Sequence, residues 1–218
     1  MFSRRWAQVG LILMVVGVAV LVWPACQYLL SHFRQVNLMA EFDEAIPVVT
    51  SVVPDEYVQQ DRQQDRVAPT GDYEEEELVD EGPFIILIRK LQLRAAVVNG
   101  VTTEELASGP GFYTHSPRPG QPGNVAIAGH RNSHGAWFRD LNELEKGDTI
   151  ILQSPRATYL YSVESVFVVE RDAWEVVYPT DEPKLTLTTC HPIGSVAQRL
   201  IVRADYVGMA ETPLDSPQ

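Results

Sequence analysis

Two cysteines are all that the 218 residues contain, Cys26 and Cys190. One sits in an apolar N-terminal stretch and the other far downstream, so no disulfide framework holds this chain together, and no zinc-type spacing of Cys and His occurs. Neither a metal nor an organic cofactor is expected. A glycine-rich phosphate loop and an internal repeat are also missing. Where the chain reads as folded, Lys and Arg are balanced by acids and form no cluster, which excludes nucleic acid as a partner, because a polyanion needs a clustered basic face.

What charge there is lies unevenly. The formal net charge is -12, but residues 1–40 carry only Arg4, Arg5 and Arg34 and no acid, whereas residues 41–81 hold 14 acids against Arg62 and Arg66. The remainder from residue 82 has 12 basic and 15 acidic residues and is nearly neutral. The acidity therefore belongs to one segment.

From Val9 to Cys26 no residue is charged and nearly every one is apolar. A bilayer needs roughly 17–25 helical residues, so residues 9–26 are expected to be a retained signal-anchor in contact with membrane lipid. Arg4 and Arg5 on its leading flank put residues 1–8 in the cytoplasm and the rest outside. Cys26 is read as a small apolar packing residue. Residues 27–83 are expected to form a flexible linker, acidic from residue 41 onward. Such a stretch buries too little apolar surface to offset the entropy of ordering it.

Short β-rich runs then recur between turn signals: 84–91, 95–100, 124–130, 149–154, 158–170, 184–190 and 199–207. About eight strands in residues 84–208 predict a mainly β fold, a closed barrel that leaves no free sheet edge, with short helices and a C-terminal tail at 209–218. Thr102 with Glu105 three residues later predicts a capped helical turn, and residues 137–145 read as a short surface helix. Gly109 to Gly111 and residues 117–123 read as loop without regular structure.

Candidate chemistry gathers at strand ends. In Lys184 to Cys190, alternation puts Thr186, Thr188 and Cys190 on one face. If 184–190 and the strand opened by Arg199 form a hairpin, Cys190 and Arg199 lie roughly 5 Å apart in backbone terms. His130 ends the run NVAIAGH. A thiol, an imidazole and a fixed cation are what acyl transfer needs: a nucleophile, a proton carrier and a partner for the oxyanion. Taken singly, a lone Cys is usually buried filler, and a lone His or Arg a solvated side chain. His115 and His134 read as solvent-facing, and His191 as a residue at the substrate rim.

Several motifs stand in one order. Thr186-Leu187-Thr188-Thr189-Cys190 matches the TLxTC signature of sortases, and Gly123-Asn124 through Gly129-His130-Arg131 resembles their histidine-bearing segment. Phe138, Leu141, Leu144 and Gly147-Asp148 fit the F-x-x-L-x-x-L-x-x-GD spacing, and Arg199 stands at the place of the active-site arginine. Over residues 84–208 the chain is identified as a member of this family of cysteine transpeptidases, most similar to class E or D. Phe112 stands where many relatives have His. The resemblance implies a sortase-type barrel with His130, Cys190 and Arg199 as catalytic residues and Thr188, Thr189 and His191 near the substrate. It further implies cleavage of an LPxTG- or LAxTG-like sorting-signal peptide between Thr and Gly through a thioacyl-enzyme. The acceptor would be an amine from a peptidoglycan precursor or a pilin lysine. Two other readings use the same domain: a membrane-tethered cysteine peptidase that transfers to water, and a non-catalytic barrel that binds envelope peptides.

Overall fold

The computed structural model describes residues 2–45, 84–155 and 157–211; the expected linker beyond residue 45 and the tail from 212 lie outside them. Helix α1 (Phe2–Ala45) comes first. Its apolar stretch makes it long and apolar enough to cross a membrane. At 1.5 Å per residue, Gln8 to Cys26 alone covers roughly 28 Å, close to the thickness of a hydrocarbon core.

The helix does not stop where the apolar run stops. Residues 27–45, expected as part of the linker, continue it without a break. Their pattern accounts for this: Ser31, Gln35 and Phe42 are buried, with Leu38 and Met39 partly so, while the residues between them are exposed. Positions spaced by three and four share one helix face, and that face rests on the folded domain.

Eight strands close into a barrel. They are β1 (Phe84–Ile88), β2 (Leu93–Asn99), β3 (Gly111–Phe112), β4 (Asn124–Ala128), β5 (Thr149–Gln153), β6 (Ala157–Glu170), β7 (Lys184–His191) and β8 (Gln198–Glu211). Around the barrel the order is β1-β2-β3-β4-β7-β8-β6-β5, with β5 returning to β1. Most neighbours run antiparallel, but β2–β3 and β4–β7 are parallel. The long β6–β8 ladder carries two register irregularities, which add twist and help to close the sheet.

The interior follows from alternation. Phe84, Ile86 and Ile88 of β1, Val125 and Ile127 of β4, Leu185 and Leu187 of β7, and Leu200, Val202 and Ala204 of β8 belong to one buried cluster. Their even spacing sends every second side chain inward. The two-residue strand β3 was expected as loop, since two residues give no alternation to read. It places Phe112 in the core against Phe84, ring centroids 6.3 Å apart, under the Arg118 guanidinium.

Helix α2 (Thr103–Leu106) has the predicted capping box, Thr102 and Glu105 each bonding the other's backbone N–H. The surface helix expected over 137–145 is instead one 3-10 turn at Leu141–Glu143, and Phe138, Leu141 and Leu144 are buried in the core. Their spacing is three rather than 3.6. That spacing stacks side chains on one line in a 3-10 turn, and here the line points inward.

Candidate active site

Pairing register brings Cys190 and Arg199 together and carries the chain toward His130 alongside β7. Cys190 pairs directly with Arg199 across the antiparallel β7–β8 ladder, as the hairpin argument anticipates. On the other side of β7 the parallel register matches Ala128 with Thr188, and the Gly129 amide donates to the Thr188 carbonyl at 3.0 Å. The pairing ends there, and His130 and Cys190 each follow two residues later on their own segments.

Face as well as level agrees. Val125 and Ile127, Leu185 and Leu187, and Leu200 and Val202 point into the core, so the alternate positions 130, 190 and 199 all stand on the outer face. Adjacent strands lie about 4.8 Å apart, and the imidazole, thiol and guanidinium therefore share one side of a three-strand strip. All three residues are partly buried.

His130 has an unusual setting. Its Nε2 is buried without a hydrogen-bond partner, and its ring lies against that of His134, tilted by 30° with centroids 5.0 Å apart. Burial pushes the His130 pKa below the ordinary imidazole range, and the neighbouring His134 pushes it the same way. The neutral ring is thereby favoured, and an unpaired buried nitrogen costs about 1–3 kcal/mol until something bonds to it. His134, read from sequence as solvent-facing, is partly buried and is this ring's neighbour; His115 is exposed.

The Arg199 guanidinium donates to the carbonyls of Val196 (3.1 Å) and Gln198 (3.0 Å) in the connection before β8. Val196 and Ile193 of that connection are exposed apolar residues. Thr188 is nearly buried on the outer face below Cys190. Thr189 points to the other side and its hydroxyl donates to the Gly129 carbonyl at 2.7 Å, buried. The substrate contact expected of Thr189 is thus not open to that hydroxyl, because it already ties β7 to the backbone that bears His130.

Sequence reasoning overlooked Arg131. It is 3% exposed, and its guanidinium donates to the Arg139 carbonyl (3.1 Å), the Cys190 carbonyl (3.2 Å) and Asn142 Oδ1 (2.6 Å), while Nη1 lies 2.9 Å from His191 Nδ1. Since Arg can only donate, His191 Nδ1 accepts and the His191 proton sits on Nε2. A rigid fork of five N–H groups is what allows one residue to brace four acceptors. The signal was present, as Arg131 directly follows His130, but its partners come from two separate segments, residues 139–142 and the end of β7.

Known proteins resemble this chain in sequence and fold. The sortase domain family model matches residues 86–207. Sortase D of Bacillus subtilis is 30% identical over 122 residues, covering 54% of this chain and 60% of its own length. A sortase E1 of Streptomyces coelicolor is 28% identical over 139 residues, 56% of this chain and 39% of that protein. The chain thus spans less than two thirds of the length of these curated relatives. Among solved structures, a sortase D5 transpeptidase of Clostridium perfringens shares the fold with a TM-score of 0.60 at 24% identity, over 80% of this chain and 99% of that one. Sortase E1 of Streptomyces coelicolor, solved with a tripeptide in its active site, has a TM-score of 0.57 at 26% identity, over 62% and 94%. With its signature segments on one strip of a closed eight-stranded barrel and more than half of its length matched by the family model, this chain belongs to the sortase family.

Proposed function

We propose that this chain is a membrane-anchored cysteine transpeptidase that cuts an LPxTG- or LAxTG-like sorting signal between Thr and Gly and passes the acyl group to an amine at the cell envelope. What supports this reading is the direct pairing of Cys190 with Arg199 across β7 and β8, with His130 two residues beyond the last β4–β7 pair, Ala128 with Thr188. The tripeptide held in the active site of the Streptomyces relative is in keeping with a peptide substrate.

In the first step the Cys190 sulfur attacks the scissile carbonyl while neutral His130 takes the thiol proton. A positive guanidinium at 199 stabilises the negative oxygen of the tetrahedral intermediate. Collapse breaks the C–N bond, and protonated His130 delivers its proton to the departing amine. The thioacyl-enzyme is then attacked by an amine such as that of a peptidoglycan precursor or a pilin lysine. His130 takes that amine's proton, and the thiolate leaves and recovers it. One amide is broken and one formed, and the enzyme returns to its starting state without a cofactor.

His191, its outer nitrogen carrying the proton, and Thr188, beside Cys190 along β7, contact the peptide. Residues 9–26 lie in the membrane lipid. Arg4 and Arg5 keep the N-terminus cytoplasmic and the barrel outside.

The test is product analysis on the full chain with a sorting-peptide library, with and without an added amine. Cleavage after Thr, an amine-dependent new amide, and loss of both in Cys190→Ala, His130→Ala and Arg199→Ala are the expected results. Acyl transfer to water alone at saturating amine would replace this reading with a peptidase. Absence of any covalent capture at Cys190 by an electrophilic peptide mimic would leave a non-catalytic barrel.

A further inference from the structure

Resting on that catalytic reading, we propose that the segment Ser31–Phe42 of the membrane helix is a working part of the active site: it holds the loop after His130 and thereby positions that imidazole beside Cys190.

The docking is specific rather than merely apolar. Strand β2 is paired with β1 along its length, Ala96 opposite Ile85, but with β3 only at Val98 and Asn99, so among the described residues no strand covers Ala96 on the β3 side. Gln35 fills the gap. Its amide accepts from the Ala96 N–H at 2.9 Å and donates to the carbonyls of Ala96 (2.9 Å) and Ser108 (2.8 Å). One side-chain amide thus does for the barrel seam what a further peptide unit would do. A Cβ on Gly109 would lie 1.9 Å from Gln35 Nε2, so a glycine stands where the clasp passes. Phe42 adds an apolar anchor on Ile85, on the outer face of β1.

One turn earlier on the same helix face, the buried Ser31 hydroxyl donates to the His134 carbonyl at 2.8 Å. The turn it grips needs holding. His134 (φ 47) and Ala136 (φ 48) flank Gly135 (φ 83), and two side-chain-bearing residues in the left-handed region are costly unless their surroundings enforce them. The His134 ring in turn lies against His130. The next residue, Trp137, shares a crevice of about 350 Å³ with His32, Gln35, Val36 and Met39 of α1. The loop is therefore fixed at one end by Arg131 on the Cys190 carbonyl and at the other by α1. Ser31 and Gln35 touch no reacting atom; they are positioning residues.

The test uses the full chain in detergent or nanodiscs, with Ser31→Ala, Gln35→Leu and, as a control, Arg34→Ala on the exposed side of the helix. Two readouts are needed: kcat and KM for a sorting peptide, and the His130 ring resonances in a Cys190→Ala background. Ser31→Ala and Gln35→Leu are expected to lower kcat roughly tenfold or more with KM little changed, since small misplacements of a reacting group have effects of that order. They should also shift or broaden the His130 signals, whereas Arg34→Ala leaves both readouts unchanged. Unaltered His130 resonances in Ser31→Ala, a variant too mild to unfold the barrel, would overturn the proposal. Should the wild-type chain cleave no peptide, the catalytic reading falls, and the ring signals still decide whether α1 holds His130.

Discussion

Replacing Arg131 by Met keeps the length and apolar bulk of the side chain and removes all of its donors, so the cost can be worked from its contacts. Four acceptors lose their partner: the carbonyls of Arg139 and Cys190, Asn142 Oδ1 and His191 Nδ1. Arg139 and Asn142 are exposed, and their oxygens recover water at little loss. Cys190 and His191 are half-buried, and a hydrogen bond from a charged donor is worth about 1.5–3 kcal/mol. The net loss comes to about 3 kcal/mol, which for a domain of this size lowers Tm by about 6–12 °C. Since the freed carbonyl belongs to the nucleophile itself, turnover measured well below Tm should fall roughly tenfold or more. Arg131→Lys should rescue little, because an ammonium presents one point of charge and cannot span the same four acceptors. Thermal melts followed by circular dichroism, paired with alkylation rates at Cys190, check both halves. An Arg131→Met protein that melts within about 2 °C of wild type and reacts at the same rate would refute the assignment of Arg131 as the brace of the Cys190 strand.

Other outcomes follow from the same contacts. Burial first and His134 second hold the His130 pKa below 6.5, so His134→Phe, which keeps a ring but not its charge, should move the His130 NMR titration upward; no movement would count against the pairing. The sign for stability is definite: as pH falls below 6.5, the unfolded imidazole takes up a proton that the folded one resists. His130 therefore costs stability as pH drops from 6.5 toward its folded pKa, and contributes nothing above that range. In Gly109→Ala the new methyl meets Gln35 Nε2 and, at 2.9 Å, the Ala96 carbonyl. A cost of about 1–3 kcal/mol is expected, with faster hydrogen exchange at the Ala96 amide, and unchanged exchange there would show that Gln35 does not seal the seam.

Much of the barrel and of its site is legible along the chain because both rest on a period of two. Alternation in β1, β4, β7 and β8 tells inside from outside without any knowledge of partners, and the short connection between Cys190 and Arg199 leaves those strands little choice but a hairpin. The same local reasoning misjudged residues 137–145, read as a short surface helix, whose Phe138, Leu141 and Leu144 are buried in the core, and it gave no hint that the Thr189 hydroxyl bonds the Gly129 carbonyl 60 positions away.

The sequence alone determined the apolar N-terminal run, the strand-rich domain and the chemistry of a sulfur, an imidazole and a guanidinium, because composition and periodicity are properties of neighbouring residues. Only the tertiary structure decided that the segment leading into His130 runs parallel to β7 as far as Thr188, that Arg131 ties residues 139–142 to the end of β7 and so braces the nucleophile, and that α1 continues past the apolar run to close the seam at Ala96. Those outcomes depend on which backbone groups are left unpaired once the barrel has closed. No local pattern records that, since the partner of each such group is set by the strand, loop or helix that folding brings alongside it.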